Sequence, residues 1–201
     1  MTTINALTLD TAAQDQLFLQ AHTADSFSGE EVPDSTLRAI HELVKYGPTS
    51  FNQQPLRIVL IRSREARERL VSHMFEPNKE KTLKAPVTAI LAADYEFHEE
   101  LPRLVPHFPD AKDTIFAARE FREASAEFNA ALQVAYFIVG VRAAGLAAGP
   151  MTGYDATGIN RDFFPKGDHT VLTVLTLGFP QEDSYHPRLP RLGYDEIVST
   201  V

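Results

Sequence analysis

Residues 47–57, Gly-Pro-Thr-Ser-Phe-Asn-Gln-Gln-Pro-Leu-Arg, concentrate more hydrogen-bonding chemistry in a short span than any other stretch of the chain. Pro48 and Pro55 fix φ and bias the residues before them away from helix, which makes a stiff loop. Between them Thr49, Ser50 and Asn52 carry hydroxyl and amide groups that both donate and accept. A flat heterocycle with alternating ring nitrogens and carbonyls needs a rim of that kind. A tight connector whose polar residues cap its own backbone accounts for the same residues.

Three further constellations carry chemistry. Asn78 and Lys81 stand three apart and share a helix face, where an amide and an ammonium can meet one ligand edge. A solvated surface face is the plain alternative. In Gly149-Pro150-Met151-Thr152-Gly153-Tyr154-Asp155, glycines near both ends let backbone approach a ligand and leave amides free. A helix stop followed by an N-cap at Asp155 fits the same residues. His22 and Thr23, with Arg188 and Arg191, offer the guanidinium forks and hydroxyl that a phosphate monoester wants. A basic, solvated tail is the alternative for the two arginines. His98, His107, His169 and His186 lack helical partners at metal-ligand spacing, so no metal site is expected. No dedicated catalytic acid, base or nucleophile stands out.

The elements that must position these groups follow from periodicity and breakers. A first helix is predicted over 12–21, capped by Asp10 or Thr11. A second begins near Pro33, with Leu37, Ile40 and Val44 on one face, and Gly47 stops it. Residues 57–62 read as a strand, 63–75 and 78–84 as helices, and 86–94 as a buried strand. Residues 102–112, with Pro102, Pro106 and Pro109, are predicted to be the longest irregular segment. A long helical pattern, with room for one break, runs from Asp113 to Leu146, apolar on nearly every side in its second half. Gly140, Gly145 and Gly149 are spaced wrongly for a dinucleotide fingerprint and read as close helix packing and a C-cap. A short helix after Asp155 and a strand over 170–177 complete the pattern. The proline-rich tail at 187–192 cannot be a central strand. Few strands separated by helices point to a three-layer α/β/α architecture, α/β or α+β.

At 201 residues, with 44% hydrophobic and 23% charged residues, the composition is that of one globular domain spanning 1–201. The absence of cysteine excludes disulfides and a thiolate nucleophile and agrees with a reducing cytoplasm. A net charge of -8 argues against broad attraction to nucleic acid. No secretory signal is evident, and the apolar run 130–141 is too short to span a bilayer, so no membrane partner is expected.

Pro48 to Arg57 resembles the P-[ST]-S-x-N-x-Q-P-x-R signature of the nitroreductase-like FMN-dependent oxidoreductases. With KTLKAPVTAI (81–90), GPMTGYDATG (149–158) and PRLPRL (187–192), the likeness runs from about Ala21 to Val198. It is nearest the HadB/RutE-type subfamily, which includes malonic semialdehyde reductase. The resemblance implies an α+β nitroreductase-like fold and a homodimer with FMN at the subunit interface. It assigns Pro48, Thr49, Ser50 and Asn52 to one subunit. His22, Thr23, Asn78, Lys81, Pro150, Met151, Thr152, Gly153, Arg188 and Arg191 come from its partner. It implies NADH or NADPH as electron donor, ping-pong turnover, and a lysine at position 81 that stabilises charge on the reduced ring. The substrate implied is a small aldehyde acid, with Arg57 or Arg119 as its cation and Phe108 closing over it. A permissive nitroaromatic or quinone reductase, a flavin binder without turnover and a cofactor-free scaffold are the alternatives. At the phosphate end the chain departs from the family's Arg-x-Ser-x-Arg/Lys pattern, reading Ala21-His22-Thr23-Ala24-Asp25.

Overall fold

The computed structural model describes residues 7–201. In chain order the elements are α1 (Thr11–Gln14), α2 (Asp34–Val44), β1 (Leu56–Ile61), α3 (Arg64–Val71), α4 (Asn78–Lys84), β2 (Val87–Asp94), α5 (Leu101–Leu104), α6 (Ala111–Thr114), α7 (Arg119–Ala143), β3 (Ala147–Met151), α8 (Ala156–Phe163), β4 (His169–Gly178) and α9 (Tyr194–Ile197). Asp10 caps α1 by accepting from the Ala13 amide, and a π-helical turn over Asp15–Leu19 continues it.

The four strands form one sheet in the order β1-β2-β4-β3, with every neighbouring pair antiparallel. Every residue of β2 is buried. Its alternate side chains enter different cores, as a period of two requires. Ala89 and Leu91 join Leu175 and Leu177 beneath Leu37 and Ile40 of α2 and Phe137 and Val141 of α7. Ile90 and Ala92 face the other way, into a core with Leu70 of α3 and Ile159 of α8. Helices thus cover both faces, and the fold is the expected three-layer α+β arrangement.

Gly140 admits the close approach of α2, since a Cβ there would lie 2.4 Å from Val44 Cγ1. Gly145, at φ +75°, turns the chain out of α7 and serves as the expected C-cap. By length and composition α7 is able to cross a membrane, whereas its apolar run alone is too short. Here it is a core helix packed on the sheet.

Three expectations need refinement. Residues 102–112 are irregular only over 105–110, because Leu101 and Ala111 carry the short helices α5 and α6 into a third core with Val105, Phe97 and Phe116. Pro102 is tolerated there because it sits in the first turn, where an amide has no helical partner. The long helical pattern is broken once, over 115–118, so that α7 itself starts at Arg119. Arg122, only 9% exposed, donates to the Phe116 and Ala117 carbonyls and holds the preceding chain out of the helix. Finally, Gly149 belongs to β3, not to a loop or helix end, and Pro150 is accommodated because β3 is an edge strand.

Candidate functional site

The loop at 47–57 is held in an unusual backbone shape. Phe51, Asn52 and Gln54 adopt φ of 51°, 49° and 46°, a region that residues other than glycine seldom occupy. One face of α7 braces it, through residues at spacings of four, four and three. Ser125 pairs with the buried amide of Gln53 at 2.9 and 3.1 Å. The Asn129 carbonyl oxygen accepts from the Ser50 amide at 2.7 Å. Gln133 accepts from the Leu56 amide at 2.9 Å, and the Tyr136 hydroxyl donates to the Pro48 carbonyl at 3.1 Å. Within the loop, the Gln54 amide donates to the Thr49 hydroxyl, and Asn52 donates to the Leu104 carbonyl. The exposed Ser50 hydroxyl takes no partner among the described residues. Pro48, Thr49 and Asn52 line a cleft of about 500 Å³.

A second wall forms where α4 meets the end of β3. Asn78 donates to the Gly153 carbonyl at 3.2 Å, and the Phe75 amide donates to the same oxygen at 3.0 Å. A Cβ at Gly153 would fall 2.6 Å from the Asn78 amide nitrogen, so only glycine permits this approach. Pro150 and Thr152 are exposed, while Met151 turns its side chain into the core beside Val174. Strand alternation thus commits the Met151 side chain to packing and leaves its backbone as the part that a ligand could meet. Asp155 caps α8 by accepting from the Gly158 amide at 3.0 Å, as expected. Burial of Tyr154 pushes its phenol up to about 12, so it remains a hydroxyl donor at neutral pH.

This wall continues into a cationic cleft of about 330 Å³ lined by His22, Thr23, Asp25, Lys81, Arg142, His186, Arg188 and Arg191. Arg188 donates to the Leu19 and Ala21 carbonyls at 2.6 and 3.1 Å. It also reaches His22 Nε2 at 3.1 Å, a contact that requires that nitrogen to be unprotonated. Lys81 Nζ lies 3.1 Å from Asp25 Oδ1, and His186 pairs with the other oxygen of that carboxylate. Thr23 sits against Gly149, joining this cleft to β3.

His22, Thr23, Lys81, Arg188 and Arg191 thus line one cleft, Asn78 stands one turn before Lys81 on α4 against Gly153, and Pro150 and Thr152 are exposed near Gly153. Pro48, Thr49, Ser50 and Asn52 lie in a different cleft. Arg142, at the end of α7, is the residue that motif reasoning passes over. Its signal is a lone guanidinium closing the apolar run ALQVAYFIVGVRAAG. Burial, and then the charge of Arg188, hold it below the ordinary arginine value. Arg57 and Arg119 are both engaged, the first with Asp94 at 2.6 Å and the second with Glu123 at 2.5 Å. Glu96, His98 and Glu99 come together, but Arg122 and Lys112 already pair with the two carboxylates.

An antiparallel sheet between two helical layers, with a braced polar loop and a cationic cleft, defines a nitroreductase-like fold. The nitroreductase family matches residues 20–179, and the chain belongs to that family. It is 61% identical over 196 residues to a Streptomyces griseus protein provisionally named NADH dehydrogenase/NAD(P)H nitroreductase, covering 98% of this chain and 100% of the relative. The fold is similar to that of a provisional nitroreductase, ydfN, from Bacillus subtilis, at a TM-score of 0.86 and 21% identity, covering 96% of this chain and 100% of that one. A provisional nitroreductase from Exiguobacterium sibiricum, solved in complex with FMN, matches at a TM-score of 0.79 and 17% identity, covering 92% and 96%.

Proposed function

We propose that this chain is an FMN-dependent NAD(P)H oxidoreductase of the nitroreductase family. The observation that carries the reading is that α4 sets Lys81 of the cationic cleft one turn from the Asn78–Gly153 contact, the cleft suited to a flavin's phosphate and the contact to its pyrimidine ring. The residues fit the cofactor. Arg188, Arg191, Thr23 and His22 would meet the phosphate, and Asn78, Lys81 and the 150–153 backbone the ring edge. The bound flavin would supply hydride chemistry at its N5, with NADH or NADPH as the reductant and an oxidised substrate as the acceptor. Lys81 supplies positive charge where the reduced ring gains electron density, an effect largest after reduction.

The loop at 48–52 lines a separate cleft in one chain, which favours a homodimer in which each site is completed by its partner's loop. Phe121 and Phe128 of α7, 53% and 67% exposed, supply apolar surface for that contact. We read residues 1–201 as one domain.

For the substrate we favour a flat acceptor, a quinone or nitroaromatic. The cleft beside Asn52 is lined by Phe51, Leu104, Val105, His107 and Phe108 and presents no guanidinium. Malonic semialdehyde, suggested by the HadB/RutE-type signature, is the second reading, and His107 is the group nearest to hand for its carboxylate.

The test is the absorption spectrum of the purified protein after incubation with FMN, before and after anaerobic NADH or NADPH. Flavin retained through gel filtration and bleached by nicotinamide is expected. Flavin retained without bleaching leaves a passive binder, and no retention leaves a scaffold.

A further inference from the structure

We infer that Arg142 is a phosphate-reading residue of the cationic cleft, seated on α7 to grip the terminal phosphate of a flavin nucleotide. The inference rests on the FMN reading above. The other cations of the cleft are largely occupied by the protein itself. Asp25 engages both Lys81 and His186. Arg188 is tied to two carbonyls and to His22. Arg191 donates to the carbonyls of Leu189 and Pro190, within its own tail. Arg142 differs on two counts. A guanidinium has five donor hydrogens, yet among the described residues Arg142 makes a single side-chain bond, 3.3 Å to the Leu17 carbonyl. Its Nε is shut from solvent and has no partner among them.

A buried donor left unpaired is costly, and an entering anion with several oxygens relieves that cost. The position is also rigid. Gln16 clamps the carbonyls of Arg142 and Ala143 at 3.1 and 2.9 Å, fixing the helix end that carries the guanidinium. The cleft therefore has one cation with a buried, unpaired donor, beside Arg188 and Arg191, each already bonded through one terminal nitrogen, and a lysine paired with Asp25. Such a site discriminates a phosphorylated ligand from its unphosphorylated counterpart.

The experiment measures the dissociation constants of FMN and riboflavin by fluorescence titration of flavin-stripped, full-length protein. Wild type is compared with Arg142→Met, which keeps an apolar stem of similar length. Loss of one charge-assisted contact is expected to weaken FMN by about 10- to 100-fold and to leave riboflavin within about threefold. Arg142→Lys is expected to fall between. Equal weakening of both ligands makes Arg142 only a clamp on the Leu17 carbonyl and overturns the inference, as does an unchanged FMN-to-riboflavin ratio. Should Arg142→Met fail to fold, the ratio in Arg142→Lys and Arg142→Gln decides. Wild type that binds neither ligand refutes the FMN reading itself. Wild type that prefers FMN, with a ratio indifferent to position 142, refutes only this inference.

Discussion

The loop at 48–57 and the cationic cleft are both polar, and they are built in opposite ways. The loop is tied by side chains of one helix: Asn129, Gln133 and Tyr136 hold its backbone, and Ser125 holds the Gln53 side chain. Its left-handed residues persist because α7 over-determines them. The cleft's cations rest instead on main-chain carbonyls and on one carboxylate, Asp25. The first region has its shape before any ligand arrives. The second has charge, held in arrangements that a ligand must displace. Substitutions in the loop's bracing should therefore cost stability, and substitutions in the cleft should change affinity.

The largest effect should come from Asn129→Leu. Asn129 is 2% exposed, accepts from the Ser50 amide and donates to the Ser125 carbonyl. Its loss leaves the part-buried Ser50 amide without its acceptor, at about 1–3 kcal/mol. Urea denaturation should show a lower midpoint at unchanged slope. Stability equal to wild type would mean that the loop holds its own shape and that the contrast between the regions is overdrawn.

Much of this architecture is legible before folding. The i, i+3, i+7 face of α2 and the β-branched runs of β1 and β4 locate those elements to within a residue or two. The helix expected at 78–84 is found at Asn78–Lys84. Other features are hidden for physical reasons. β3 follows α7 with almost no gap and contains glycine and proline, so nothing local marks it as a strand. The bracing of Ser50 by Asn129 spans 79 positions, and no periodicity reports a tertiary hydrogen bond. Arg142 is visible as a charge in an apolar helix, but its meaning depends on which segments pack beside it. In the candidate site, residue types were readable from spacing, whereas the partners that occupy them were not.

Asp25→Asn should produce a smaller effect of the opposite sign. It removes the carboxylate that engages Lys81 and His186 and that would repel a dianion in the same cleft. FMN affinity should rise on the order of tenfold, about 1.4 kcal/mol, with the rise shrinking at high salt because the pair is half-exposed. Isothermal titration at two ionic strengths measures both. Weaker FMN binding would show that Asp25 positions Lys81 rather than competing for it, and the cleft would then be as preorganised as the loop.

The smallest effect concerns whether the 149–155 segment is braced like the loop or held loosely like the cleft. Behind it, His73 Nε2 meets Asp162 Oδ2 at 2.6 Å, and the His73 carbonyl accepts from the Asp155 amide. The hydrogen bond from His73 is the main cause that holds the Asp162 carboxyl below the ordinary aspartate value. A carboxyl whose pKa is depressed by folding adds stability above its unfolded pKa, about 3.9. That contribution is lost as pH falls through the lower, folded value. Asp162→Asn keeps an acceptor for His73 but cannot titrate. Its melting temperature should lie slightly below wild type from pH 5 to 7, and the two should converge as pH falls below the ordinary aspartate value and through the depressed one. A difference that stays constant across that range would assign the pair to shape alone. Convergence would place the segment with the loop, as a wall fixed before the ligand arrives.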